Sequence, residues 1–201
     1  MSTNILTKDE FIRRFTLNQL SSSTHNYKHK VTKNSPLKLA AVLIGLHENE
    51  ENKNQLDIIL TKRASHLKHH PSQISFPGGK AEPTDKNLIE TALREAEEEI
   101  GLCSSNVDVI GQLPAYETIS GYHVTPIIGI VKNNPSFTID PNEVSEVFHV
   151  PLSFYLSSQN HYSVDIYKQG QTFKVHFLPY QHYNIWGATA SILKDIVLHI
   201  T

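Results

Sequence analysis

Apolar residues recur along this chain in two periods, and the switches between them mark its elements. Phe11, Ile12 and Phe15 stand at helical spacing behind Thr7 and Glu10, the two ends of a capping box, so residues 7–20 are predicted to form a short amphipathic helix. Residues 21–35 are polar, with a triple serine, two histidines and several lysines, and read as a linker. From Leu37 the pattern changes. Residues 39–44 are a continuous apolar run of buried-strand length, and residues 56–61 are a second run rich in β-branched side chains. The charged residues 48–54 between them read as a solvated hairpin tip. Further on, residues 107–110 and 124–131 read as strands, with a polar and aromatic loop at 114–122 between them. A segment from Glu143 to Leu152 ends at Pro151, and residues 162–167 and 172–178 form a hairpin around residues 168–171. In the last helix Ile185, Ala188, Ile192 and Ile196 make an apolar stripe behind Asn184 as the cap. Strands interleaved with few, well-placed helices predict an α/β (mixed α+β) fold, a mixed sheet with helices on both faces. The division expected is residues 1–36, an N-terminal helix and polar linker, and residues 37–201, one catalytic domain.

The stretch from Phe76 to Leu102 carries the chemistry. Pro77-Gly78-Gly79 is a turn that a glycine-rich backbone makes easily. Asp85 stands as the expected N-cap of a helix of about four turns. Its apolar side carries Leu88, Ala92 and Ala96 beside Ile89, Leu93 and Ile100, and Gly101 is its C-terminal stop. Glu95, Glu98 and Glu99 lie at i, i+3 and i+4, so three carboxylates share one patch. Like charges at that spacing repel, and a hard divalent cation taking oxygen ligands removes the repulsion. Taken alone, the same pattern is equally that of a solvated acidic face with Glu90 and Arg94 as an i, i+4 pair.

Composition narrows the class. The chain has 201 residues, 39% of them apolar and 19% charged, which suits one soluble globular domain with some decoration. A net charge of −2 gives no support to nucleic-acid binding through bulk charge. The single cysteine, Cys103, excludes an internal disulfide and reads as packing at a helix end. With no apolar run of membrane-spanning length and no signal-peptide core at the N-terminus, a cytoplasmic protein without membrane contact is expected. Six basic side chains (Lys62, Arg63, His66, Lys68, His69 and His70) crowd the residues just before the glycine turn. A basic segment beside an acidic metal patch suits a substrate with several phosphates, against the alternative of a solubilising loop. His66 and His70 would ligate zinc only on a helix, and Pro71 argues against one.

Arg94-Glu95-Ala96-Glu97-Glu98-Glu99-Ile100-Gly101-Leu102, with Gly79 upstream, resembles the Nudix box, G-x5-E-x7-R-E-U-x-E-E-x-G-U, where U is a bulky apolar residue. Ala96 is smaller than the usual U. Asp85 occupies the slot of the first Glu, and eight residues rather than seven separate it from Arg94. The resemblance implies the Nudix fold, an α/β/α sandwich around a mixed β-sheet, over about residues 37–200. It implies Mg²⁺ or Mn²⁺ held by Glu95, Glu98 and Glu99, with Arg94 orienting a carboxylate. It also implies Glu98 as the favoured base, with Glu143 and Glu117 as alternatives.

Residues 59–79 resemble the motif of the coenzyme A diphosphatases within that superfamily, L-L-T-x-R-[SA]-x3-R-x3-G-x3-F-P-G-G. Thr61, Arg63, Ala64 and Phe76 to Gly79 match it, while Lys68 stands for Arg and Ser72 for Gly. The segments at 121–126 and 185–187 also look like this subfamily. The resemblance implies cleavage of coenzyme A, or an acyl-CoA, to 4′-phosphopantetheine and adenosine 3′,5′-bisphosphate. Substrate contacts are then expected from Arg63, Lys68, Phe76, Gly78 and Gly79. The partner is a small nucleotide, and a homodimer is left open. The alternatives are the same chemistry on ADP-ribose, NADH or a dinucleotide, or a non-catalytic module that senses a nucleotide.

Overall fold

A computed structural model describes residues 6–19, 38–49, 51–118, 120–132, 136–168 and 170–201. The linker expected at 21–35 lies outside the described residues. In chain order the elements are α1 (Lys8–Gln19), β1 (Lys38–Glu48), β2 (Leu56–Arg63), β3 (Ile74–Ser75), β4 (Gly78–Lys80), α2 (Leu88–Ile100), β5 (Val107–Gln112), β6 (Tyr116–Glu117), β7 (Tyr122–Val131), β8 (Val144–Pro151), α3 (Leu152–Leu156), β9 (Tyr162–Lys168), β10 (Gln171–Phe177) and α4 (Gly187–Ile200). Strands β1 to β8 form one mixed sheet, and β9 and β10 form a separate antiparallel hairpin.

β1 is the axis of the sheet. Along one edge it runs parallel to β7, from Lys38 opposite Tyr122 to Leu46 opposite Ile130. Its other edge is shared. Near its C-terminal end it pairs with β2, at Leu46 to Glu48, and near its start with β4, at Ala40 to Val42. Between these points β1 and β2 splay apart, and the chain from Ile74 to Lys80 enters the gap. There β3 pairs with β2 (Thr61 opposite Ser75), and Leu43 donates its N–H to the Pro77 carbonyl at 2.8 Å. The backbone groups that splaying would strip of partners are thus satisfied by the glycine turn. Gly78 has φ 153°, and a Cβ there would collide with the carbonyl of Ala41, so no side chain fits.

The period-2 pattern of the strands sorts their side chains onto two faces. Ala41, Leu43, Ile59, Ile127 and Val131 pack under α2 with Ala92, Ala96 and Ile100. Ile44, Leu46, Ile58, Leu60, Ile128 and Ile130 pack on the other side, under α1, α3 and α4. This is the predicted mixed sheet with helices on both faces. The apolar run at residues 39–44 covers only the first part of β1, which extends through polar His47 and Glu48 because strand pairing rather than hydropathy sets its end.

Other boundaries move for local reasons. α2 is capped by Asn87, whose side chain accepts the N–H of Glu90 at 3.0 Å, not by Asp85, whose carboxylate is engaged elsewhere. α4 begins at Gly187, three residues after Asn184, because Leu178 and Ile185 are bonded together and hold the intervening chain in a tight loop. Pro151 still pairs with Asp57 as the last residue of β8, and α3 follows it directly. Half of the capping box forms at α1: Thr7 Oγ1 accepts the Glu10 N–H at 3.3 Å, while the Glu10 carboxylate turns to Arg13 and Arg14.

α1 is packed against α4. Phe11 and Phe15 are fully buried in the core it shares, and Arg14 Nη1 and Asn18 Nδ2 donate to the carbonyls of Ile200 and His199 at the end of α4. Truncating such a ring leaves a cavity that the surroundings fill only partly, so Phe15→Ala is expected to cost about 3–5 kcal/mol. Urea unfolding checks this. A loss under about 1 kcal/mol would mean that α1 contributes little to the folded domain.

Candidate active site

The glycine turn and α2 meet at one end of the sheet, and the acidic residues gather there. Each of the three has a different surrounding. Glu99 is nearly enclosed: its side chain is 3% exposed, Oε2 accepts the N–H of Gly78 at 3.1 Å, and Arg63 Nη1 stands 3.8 Å from Oε1. Burial pushes its pKa up to about 8, against the smaller opposing pull of the Gly78 amide and Arg63. Glu95 is half-buried, and burial raises its pKa too, although Arg94 Nη1 donates to Oε1 at 3.1 Å. A Cβ on Gly79 would lie inside the Glu95 carboxyl group, so the second glycine is what lets the turn lie against this side chain. Glu98 is the exposed member and accepts from Arg94 Nη1 at 2.8 Å.

Arg94 is the fastener of the patch. Its Nε and Nη2 donate to the two carboxylate oxygens of Asp85 at 3.0 and 3.1 Å, Nη2 also reaches the carbonyl of Lys80 at 3.0 Å, and Nη1 spans Glu95 and Glu98. Asp85 holds the guanidinium from the far side and also takes the Glu82 N–H and the Thr91 hydroxyl, each at 2.9 Å. The bidentate pairing keeps the Asp85 carboxyl well below the usual carboxylate range and the guanidinium charged. This explains the departure at Asp85 from the sequence pattern. The loop from Ala81 to Asn87 folds back on α2, and its carboxylate serves the arginine instead of the helix cap.

Glu143 and Glu117 are the alternative bases, and Lys68 an expected substrate contact. Glu143 precedes β8, and its carbonyl accepts the Ala64 N–H at 2.8 Å. Its charge raises the pKa of both Glu95 and Glu99, so it stands at the patch. Glu117 lies on β6, opposite His123. Lys68 is exposed on the turn after β2. Ser72, where the upstream motif carries Gly, has φ 58°, so this position takes the left-handed backbone that glycine adopts without cost. Phe76, expected beside substrate, is 2% exposed and packed into the core on the α4 side, where it anchors the turn from below.

Arg63 faces two ways. Besides Glu99, it lines a cleft of about 640 Å³ whose walls include Tyr116, Phe173, Lys174 and Trp186. Nothing in the local pattern of β10 marked Phe173 and Lys174; they come to the cleft because the β9–β10 hairpin folds back beside α4. Glu95, Glu98 and Glu99 offer oxygen donors alone, the ligand chemistry that a hard divalent cation takes, while their carboxylates in this structure are engaged with Arg94, Arg63 and the Gly78 N–H.

The NUDIX domain family matches residues 37–177. The chain belongs to the Nudix hydrolase family. Among curated Nudix relatives, the "Uncharacterized Nudix hydrolase NudL" of Enterobacter sp. (strain 638) is 38% identical over 200 residues, covering 100% of this chain and 98% of its own. The protein of the same name from Escherichia fergusonii is 38% identical over 202 residues with the same coverage. The structure of a Nudix hydrolase from Alicyclobacillus acidocaldarius is similar in fold, with a TM-score of 0.52 at 15% identity over 83% of this chain and 93% of the other. Nudix chemistry is divalent-metal-dependent cleavage of a diphosphate in a nucleotide, and the predicted fold class is the observed one. Among the described residues no helix is long and apolar enough to cross a membrane.

Proposed function

We propose that this Nudix hydrolase cleaves the diphosphate of coenzyme A, releasing 4′-phosphopantetheine and adenosine 3′,5′-bisphosphate. The observation that carries the reading is the double position of Arg63, at once 3.8 Å from Glu99 and on the wall of the cleft. A guanidinium there can hold a diphosphate across the border between the carboxylates and the cleft. Arg63 is also the arginine of the L-L-T-x-R segment with which the coenzyme A-like motif begins. The aromatic Trp186 and Phe173 give the rest of the cleft flat apolar walls for a nucleotide base or a pantetheine arm.

In this reading Glu95, Glu98 and Glu99 hold the divalent ion, Mg²⁺ or Mn²⁺. When bound, such an ion neutralises diphosphate oxygens and acidifies a water. Arg94 keeps Glu95 and Glu98 in place, itself fixed by Asp85. Glu98 is exposed enough to take a proton from the attacking water, and Glu143 is the alternative base at the same patch. Phe76 supports the turn, and Gly78 fixes Glu99 through its N–H. The catalytic unit begins near residue 37, and α1 is an added element that braces α4. Lys68, exposed on the turn after β2, would meet the 3′-phosphate end of the substrate.

The test is turnover of coenzyme A, NADH and ADP-ribose by the purified protein with Mg²⁺, products resolved by chromatography. Coenzyme A is expected to have the highest kcat/KM, with Arg63→Ala losing about tenfold or more on it, as expected for a hydrogen bond to a charged group. Higher kcat/KM on ADP-ribose or NADH would move the assignment to another nucleoside diphosphate. No turnover of any with intact metal binding would make the protein a nucleotide sensor.

A further inference from the structure

At the far end of β1 from the glycine turn, a second group of ligating side chains meets. His47 on β1 lies directly across from Asp57 on β2, and His149 joins them from β8, where it pairs with Ile59. All three project to the α2 face of the sheet. The site is five residues along β1 from Val42, the partner of Gly78, or about 17 Å at about 3.4 Å per residue. It therefore shares no residue with the carboxylate patch.

The geometry is that of ligands converging on one point. One ligand atom from each of the three lies within 4.8 Å of the others. His47 Nε2 and His149 Nδ1 are 3.1 Å apart, near the separation of about 3.3 Å set by two imidazole nitrogens at 2.0–2.1 Å from a tetrahedral ion. The other nitrogen of His47, Nδ1, is 3.1 Å from the Glu48 carbonyl. A proton on Nδ1 donated to that carbonyl leaves Nε2 with its lone pair, as in metal-bound histidines. Asp57 is held by Asn49, whose Nδ2 donates to Oδ2 at 2.6 Å. Its Oδ1 is buried with no hydrogen-bond partner, in a residue only 5% exposed. Leaving a buried carboxylate oxygen unpaired is costly, and a cation bound there removes that cost.

We propose that His47, Asp57 and His149 bind a transition-metal ion of the Zn²⁺ type, at a site separate from the Nudix carboxylates. Two imidazoles and one carboxylate suit Zn²⁺ or Co²⁺ and not Mg²⁺, which takes oxygen ligands. Three protein ligands leave a fourth position for water. The ring of Phe137 stands edge-on to His149, 5.7 Å away, and covers one side. Bound there, the ion ties β1, β2 and β8 together where the first two are paired, opposite the end where they splay.

The experiment strips the full-length protein with chelator, saturates it with Mg²⁺, and titrates Co²⁺ by visible absorption and then Zn²⁺ in competition. Wild type is expected to take up one equivalent with the strong bands of a four-coordinate, imidazole-bound ion. His149→Gln and Asp57→Asn each lose more than the about 100-fold in affinity that loss of an outer-shell partner costs. Glu99→Gln keeps the bands. If wild type shows no such bands, or if both variants bind Zn²⁺ as tightly as wild type, the cluster is a hydrogen-bonded histidine pair and the proposal is overturned. The wild-type spectrum decides the matter even if a variant does not fold.

Discussion

Glu99→Gln lowers Mg²⁺-dependent turnover by about 10²–10⁴-fold, the range seen on loss of one charge-stabilising or acid–base group, while the protein stays folded. The amide is isosteric and still accepts the Gly78 N–H. The same variant has a second signature in stability. The carboxyl of Glu99 has its ordinary pKa of 4.5 in the unfolded chain, and burial pushes it up to about 8 in the metal-free folded protein. Between those values the folded state holds a proton that the unfolded state has lost. Stability of the metal-free protein therefore falls as pH rises through this window, by up to about 1.4 kcal/mol per pH unit, and levels off above it. Glutamine has no such proton. Thermal melts in EDTA should show wild type dropping relative to Glu99→Gln from about pH 5 to about pH 8, with Mg²⁺ reducing the drop in wild type alone. Parallel melting profiles in EDTA would mean that burial does not raise the Glu99 pKa, while wild-type turnover in the variant, or no effect of Mg²⁺ on the wild-type drop, would remove Glu99 from the metal site.

Arg94→Lys keeps the charge and discards the fork, and it is expected to lower kcat by about 10–100-fold with little change in KM. A lysine cannot bind both oxygens of Asp85 and still reach Glu95 and Glu98. The carboxylates then lose their fixed placement, while the cleft, lined by Arg63, is untouched. Losing charge-assisted bonds is also expected to cost about 1.5–3 kcal/mol of stability at neutral pH. The Asp85 carboxyl is held below its ordinary value of 3.8, so its contribution is present above that pH and is lost on further acidification. The stability gap between variant and wild type should therefore close below about pH 3.8. Equal effects on kcat and KM would mean that Arg94 meets substrate.

Elements whose signals are local are legible in the amino-acid sequence. Glu95, Glu98 and Glu99 share a patch because a helix repeats every 3.6 residues, and Gly78 and Gly79 mark a turn because only a missing Cβ permits it. The continuous apolar run in β1 likewise marks a strand buried on both faces. Tertiary structure alone decided how these parts meet. Asp85 has the local signature of a helix cap, yet the fold of the loop from Ala81 hands it to Arg94 and leaves the cap to Asn87. Arg63, at the end of β2, and Glu99, on α2, are far apart in sequence and meet only in the folded chain, 3.8 Å apart. His47, Asp57 and His149 leave no trace in any window of sequence. They meet through the pairing of β1 with β2 and of β2 with β8, and a slip of one residue in either register would turn a ligand to the opposite face.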